Sequence, residues 1–72
     1  MSNTETVEKQ LLTEREKVIL RRIAEGRSSQ QIADELGLAR ETIKWYRKRM
    51  LTKFQVASSL EMVLMAMEMG IL

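Results

Sequence analysis

Cysteine, histidine and proline are all missing from this chain, and each absence closes off a class of protein. Without cysteine there is no disulfide and no thiolate metal site, so nothing points to an oxidising compartment. Without histidine the commonest general base and the usual zinc ligand are gone. The lack of proline suits a chain that is nearly all helix. Valine, isoleucine and threonine never alternate with polar residues over the length of a strand. The longest apolar run, Met62 to Met67, falls far short of the roughly 20 residues that a membrane span needs. The start of the chain is polar and acidic rather than basic and then apolar, which predicts no signal peptide. A chain of 72 residues makes one domain, and a core of that size supplies only roughly 3–5 kcal/mol unaided. The expectation is a soluble, intracellular all-α domain with no membrane segment, no metal, no cofactor and no evident small-molecule ligand.

What the chain does have is concentrated between Ala39 and Phe54. Arg40, Lys44, Arg47, Lys48, Arg49 and Lys53 stand there against a single acid, Glu41. The residues before this segment balance at minus one and those after it at minus two, so a net charge of +2 conceals a local excess of plus five. Turned as a helix at about 100° per residue, the segment separates into two faces. Ile43, Tyr46, Met50 and Phe54 line one, with Arg47 and Leu51 at its edges. Glu41, Lys44, Trp45, Lys48 and Thr52 line the other. A basic outer face carrying an aromatic, mounted on an apolar inner face, suits insertion into a DNA groove. An isolated charge run is more often a solvated surface. Here the rest of the chain looks built to present the basic helix.

Residues 1–10 are polar, carry one isolated valine and show no period, which predicts a flexible tail. The domain is expected over residues 11–72. Thr13 and Glu16 form T-x-x-E, the capping-box signature of a helix start. Ile19, Leu20, Ile23 and Ala24 follow at helical spacing, with Val18 and Leu12 as extensions of the stripe, and Gly26 supplies a stop. Ser28 with Gln31 opens a second helix, whose inner stripe is Ile32, Ala33 and Leu36. Gly37 ends it, and Leu38 can pack back onto it. Two short helices joined by Gly37, Leu38 and Ala39 make a helix-turn-helix, with the basic helix in the reading position. Ala39 stands where that helix wants a cap, at an expected cost of about 1 kcal/mol. Ser58 with Glu61 is a third box, opening a fourth helix that Gly70 closes. The predicted helices are 14–25, 29–36, 40–54 and 59–69.

The fourth helix has more apolar surface than one domain can cover. Met62, Val63, Ala66 and Met69 make an inner stripe, while Leu60, Leu64 and Met67 make another on a different side. A surface helix needs only one apolar face. Scattered exposed apolar residues are ordinary, but a second ordered stripe predicts a partner, most simply the same helix of another copy.

At this point the residues match a known family. Leu12-Thr13 with Arg15-Glu16, Ala24 with Gly26, Ser28, Ile32-Ala33, Leu36, Thr42-Ile43-Lys44 and Lys53 stand in a joint order that is highly specific. From Leu11 to the C-terminus, the chain resembles the LuxR-type helix-turn-helix domain, also named after the NarL, FixJ and GerE regulators. The resemblance implies a four-helix fold and a transcriptional regulator binding double-stranded DNA, with RNA polymerase as a further partner; the second stripe of the fourth helix adds the expectation of a homodimer on an inverted repeat. It also implies the small subset of the family that consists of the DNA-binding domain alone.

Carried over by position, the resemblance places Lys44, Trp45 and Lys48 at bases. It places Thr42 and Lys53 at phosphates; the basic helix adds Arg47 and Arg49 to that set and the start of the second helix adds Ser29 and Gln30, while the second apolar stripe, Leu60, Leu64 and Met67, is the expected dimer seam. Four positions depart from the family's usual residues: Ala39 for serine, Gln30 for lysine, Tyr46 for histidine, and Trp45 where an aliphatic often stands. Trp45 can meet a thymine methyl or pack against a neighbouring helix, and the residues do not choose between the two. Other classes remain as alternatives. A fragment like region four of a sigma factor would need core-binding domains, and a module that sequesters a full-length regulator through helix four would not need the plus five. An enzyme finds no support, because Glu14/Glu16 and Asp34/Glu35 read as exposed acids beside basic residues, with no nucleophile and base.

Overall fold

The computed structural model describes residues 12–72. The tail expected over residues 1–10 lies outside the described residues. Four helices follow one another: α1 Glu14–Ala24, α2 Ser29–Leu36, α3 Arg40–Phe54 and α4 Ser59–Glu68. The described residues contain no strand, and the fold is all-α.

Local chemistry explains where the helices start. The Thr13 hydroxyl accepts from the Glu16 backbone N–H, and the Glu16 carboxylate accepts from the Thr13 N–H, at 3.1 and 2.9 Å. Ser28 and Gln31 repeat this reciprocal box at the same two distances. The third box forms only by half. Ser58 accepts from the Glu61 N–H, but its hydroxyl then donates to the Glu61 carboxylate at 3.1 Å, so the Ser58 N–H gains no return bond. Ala39 makes no side-chain cap, as its methyl group dictates.

The turn between α2 and α3 depends on Gly37, whose φ of +69° lies in the left-handed region that costs an L-residue about 1–2 kcal/mol. That turn lets the Leu38 N–H reach back to the Ala33 carbonyl at 2.9 Å, and Leu38 packs half-buried against the core. α3 ends differently. Gln55 adopts φ +59° without being glycine, and the Val56 N–H bonds the Leu51 carbonyl at 3.1 Å.

The core takes residues from every helix: Ile19 and Leu20, Ile32 and Ala33, Ile43, Met50 and Phe54, then Met62 and Ala66, with Leu12 ahead of α1. These are the inner stripes expected from spacing, with one exception. Ala24 is exposed, because the stripe of α1 drifts off the core in its last turn. α2 packs most extensively on α3, while α1 and α4 back α3 from behind. Every other helix therefore supports the basic one.

Candidate nucleic-acid interface

α3 has 15 residues and so runs for about 22 Å at 1.5 Å per residue. Its buried side is Ile43, Met50 and Phe54, with Tyr46 and Leu51 half-buried. Glu41, Lys44, Trp45, Lys48 and Thr52 are all exposed on the opposite side. Lys44 and Lys48 stand one turn apart, so their ammonium groups project from the same face. Lys44 is paired only loosely, at 3.7 Å, with the well-exposed Glu41. Such a contact is worth little in water and does not hold the lysine back.

Trp45 keeps 54% of its surface exposed. Its ring meets Tyr46 edge-on at 5.0 Å between centroids, and the Arg49 guanidinium lies 5.2 Å from its centre. Both contacts come from α3 itself. The indole is thus steadied on its own helix and left facing outward.

The flanks of α3 hold a result that spacing did not anticipate. Glu16, read from the sequence as an exposed acid beside Glu14, is only 1% exposed. Its carboxylate accepts from the Lys53 ammonium at 2.7 Å and faces the Arg49 Nε at 3.3 Å. The burial has a simple cause. Glu16 lies three and four residues before Ile19 and Leu20, on the buried stripe of α1, and that stripe faces the end of α3. The spacing carried the signal, but a charged residue in a capping box is normally read as surface.

Arg47 behaves similarly. Its guanidinium donates to the Ser29 hydroxyl at 3.1 Å and to the Ser59 hydroxyl at 2.8 Å, tying the first residues of α2 and α4 together. Arg47, Lys53 and Ser29 thus have internal partners, whereas the sequence reading expects all three at phosphates. Gln30 is exposed and bonds Asp34 at 2.9 Å, and Thr42 is half-buried in the first turn of α3.

Burial alone would push the Glu16 carboxyl upward. The Lys53 hydrogen bond, the Thr13 N–H and the charges of Lys53 and Arg49 outweigh it, and the group is held below the ordinary carboxylate value. A depressed folded pKa contributes stability that is present above the unfolded value and lost as pH falls through the folded one. The thermal midpoint is therefore expected to hold from neutrality to about pH 5 and to drop below that. In Glu16→Gln the drop should be smaller. An equal acid response in both proteins, followed by circular dichroism, would remove Glu16 as its source.

On α4 the inner stripe is buried at Met62 and Ala66, with Val63 and Met69 half-buried. The second stripe stands open to solvent, with Leu60 68%, Leu64 52% and Met67 58% exposed. Beside Leu60, a shallow depression of about 170 Å³ is lined by Ile23, Ala24, Ser59 and Val63. The exposed Ala24 thus extends an apolar surface that α4 begins. Among the described residues no group of acids could hold a metal ion, and no helix is long and apolar enough to cross a membrane.

The chain is similar to known regulators over most of its length. The GerE family model, described as bacterial regulatory proteins of the luxR family, matches residues 10–66. The uncharacterized response regulatory protein YgeK of Escherichia coli K12 is 38% identical over 60 residues, covering 83% of this chain and 41% of that protein. The transcriptional regulatory protein ComA of Bacillus subtilis is 37% identical over 65 residues, covering 90% of this chain and 30% of its own. The transcriptional regulatory protein FixJ of Azorhizobium caulinodans is 35% identical, covering 83% and 28%. The chain spans well under half the length of these curated relatives. No solved structure matches it.

Proposed function

This chain belongs to the luxR family of bacterial regulatory proteins, and from that premise we propose that it regulates transcription by binding specific duplex DNA with α3 in the major groove. The observation that carries the reading is the exposed face of α3, where Lys44, Trp45 and Lys48 project together while the opposite face is sealed in the core. Lys44 and Lys48 can donate to guanine O6 and N7. Trp45 offers an apolar edge to a thymine methyl or a sugar. Thr42, Gln30 and the exposed side of Arg49 are the residues we assign to phosphates, where contacts fix register without reading sequence. Arg47, Lys53 and Ser29 are left out of that set because the fold already uses them.

The working unit we propose is a homodimer formed through Leu60, Leu64 and Met67 of α4. Its two recognition helices would lie about 34 Å apart on an inverted repeat. Such a regulator acts in the cytoplasm on the nucleoid, where its bound form would meet RNA polymerase.

The test is a salt titration on cognate and random duplexes. Affinity should fall with salt at a log–log slope of about −0.9 for each phosphate neutralised. Lys44→Ala should cost about 1–3 kcal/mol on the cognate site and little on random DNA. An equal loss on both would make Lys44 a phosphate contact. Absence of binding to any duplex at low salt would end the reading.

A further inference from the structure

α3 carries six cations, yet its geometry does not offer all of them to a ligand. Lys53 lies roughly 120° around the helix from the groove face, on the flank that would look towards one phosphate strand once α3 is inserted. An unrestrained lysine there would bind the backbone of any sequence. This one is not unrestrained. Its ammonium sits 2.7 Å from Glu16 Oε1, its side chain is 20% exposed, and the Glu16 side chain is 1% exposed.

We infer that Glu16 withholds Lys53 from the DNA backbone, standing in for a phosphate inside the fold and so limiting sequence-independent binding. This rests on the DNA-binding reading above. Two observations support it. The same Oε1 also accepts the Thr13 N–H at 2.9 Å, so the carboxylate is clamped from the α1 side and cannot follow the lysine outward. The other oxygen is buried without a hydrogen bond, because Arg49 Nε approaches it only as an ion pair at 3.3 Å. If Lys53 left, a buried and poorly satisfied carboxylate would remain. A phosphate in solvent-lined DNA would have to offset that loss, whereas Glu16 offers the same charge already desolvated and in place. Gln31 completes the box of α2 with an amide oxygen at 2.9 Å, so glutamine at position 16 can keep the helix start while removing the charge.

The experiment measures the salt dependence of binding to a random 20-base-pair duplex by fluorescence anisotropy, between 50 and 200 mM NaCl. Wild type, Glu16→Gln and the double variant Glu16→Gln/Lys53→Gln are compared. Freeing Lys53 adds one phosphate contact, so Glu16→Gln should steepen the log–log slope by about 0.9 and bind random DNA about threefold tighter at the low-salt end relative to the high-salt end. Its ratio of cognate to random affinity should fall. The double variant should return to the wild-type slope. A Glu16→Gln slope equal to wild type, or a double variant shallower than wild type by about 0.9, would overturn the inference, the second because Lys53 would then be a phosphate contact already. Should the variants not fold, the Glu16 carboxyl carbon resonance of wild type decides. It stays in place when duplex is added if Lys53 is withheld, and moves if Lys53 departs. Failure of wild type to bind any duplex would instead overturn the DNA reading, and this inference with it.

Discussion

Leu64→Glu is expected to abolish cooperative occupation of an inverted-repeat site while leaving half-site binding and helicity close to wild type. The argument starts from area. Leu60, Leu64 and Met67 fall at i, i+4 and i+7, more than half exposed, on a helix whose Met62 and Ala66 are already fully buried. Among the described residues no further element covers them, and a two-fold interface places identical surfaces together. Burying side chains of this kind contributes about 1.5–3 kcal/mol each. Association subtracts a comparable amount for lost translational and rotational freedom, so a weak dimer tightened by DNA is the expected form. Glutamate at the centre of that seam puts two like charges face to face and leaves the buried stripe alone. Gel-shift or anisotropy titrations on full and half sites read the result. Unfolding of the variant would assign Leu64 to the core, and retained cooperativity would place the dimer contact elsewhere.

Phe54→Ala is expected to leave roughly half of the protein unfolded at 25 °C. The ring is 4% exposed and closes the end of α3 where the chain turns towards α4. Truncating a buried Phe costs about 3–5 kcal/mol, through lost transfer energy and the cavity left behind. A core of this size supplies roughly the same amount, so the two cancel. Glu68→Ala is the control, since Glu68 is exposed outside the proposed seam and a surface substitution is expected within about 0.5 kcal/mol. Urea denaturation followed at 222 nm distinguishes them. Equal midpoints for the two variants would mean that α3 is not held by its inner face.

The functional consequence is that the proposed groove face and the core are two sides of one helix. Lys44 and Lys48 reach outward at a fixed angle only because Ile43, Met50 and Phe54 are sealed opposite them. A core defect should therefore reduce cognate and random binding together. Loss of Lys44 should separate them.

Much of this was open to reading in the residues themselves. Thr13 with Glu16 and Ser28 with Gln31 marked two helix starts to the residue, because a capping box is a local exchange of hydrogen bonds that needs only four consecutive positions. Gly37 marked the turn for an equally local reason. The inner stripes followed from the 3.6-residue period, and the basic face of α3 from the same wheel. These helix starts and inner faces, which depend on neighbours within one or two turns, were determined by the sequence alone, whereas the return bond of the Ser58–Glu61 box was not.

What only the tertiary structure decided involves partners far apart in the chain. Glu16 and Lys53 are 37 positions apart, and Arg47 lies 18 from Ser29 and 12 from Ser59. No periodicity relates them. A charge at a helix start looks solvated until another helix is laid across it, and a basic flank looks available until an acid is found beneath it. Gln55 in the left-handed region is of the same kind, since a non-glycine residue is held there by the packing of the elements it joins rather than by its own preference. The sequence determined which face of α3 is basic. The assembly of α1 against α3 decided which of those cations remain outside.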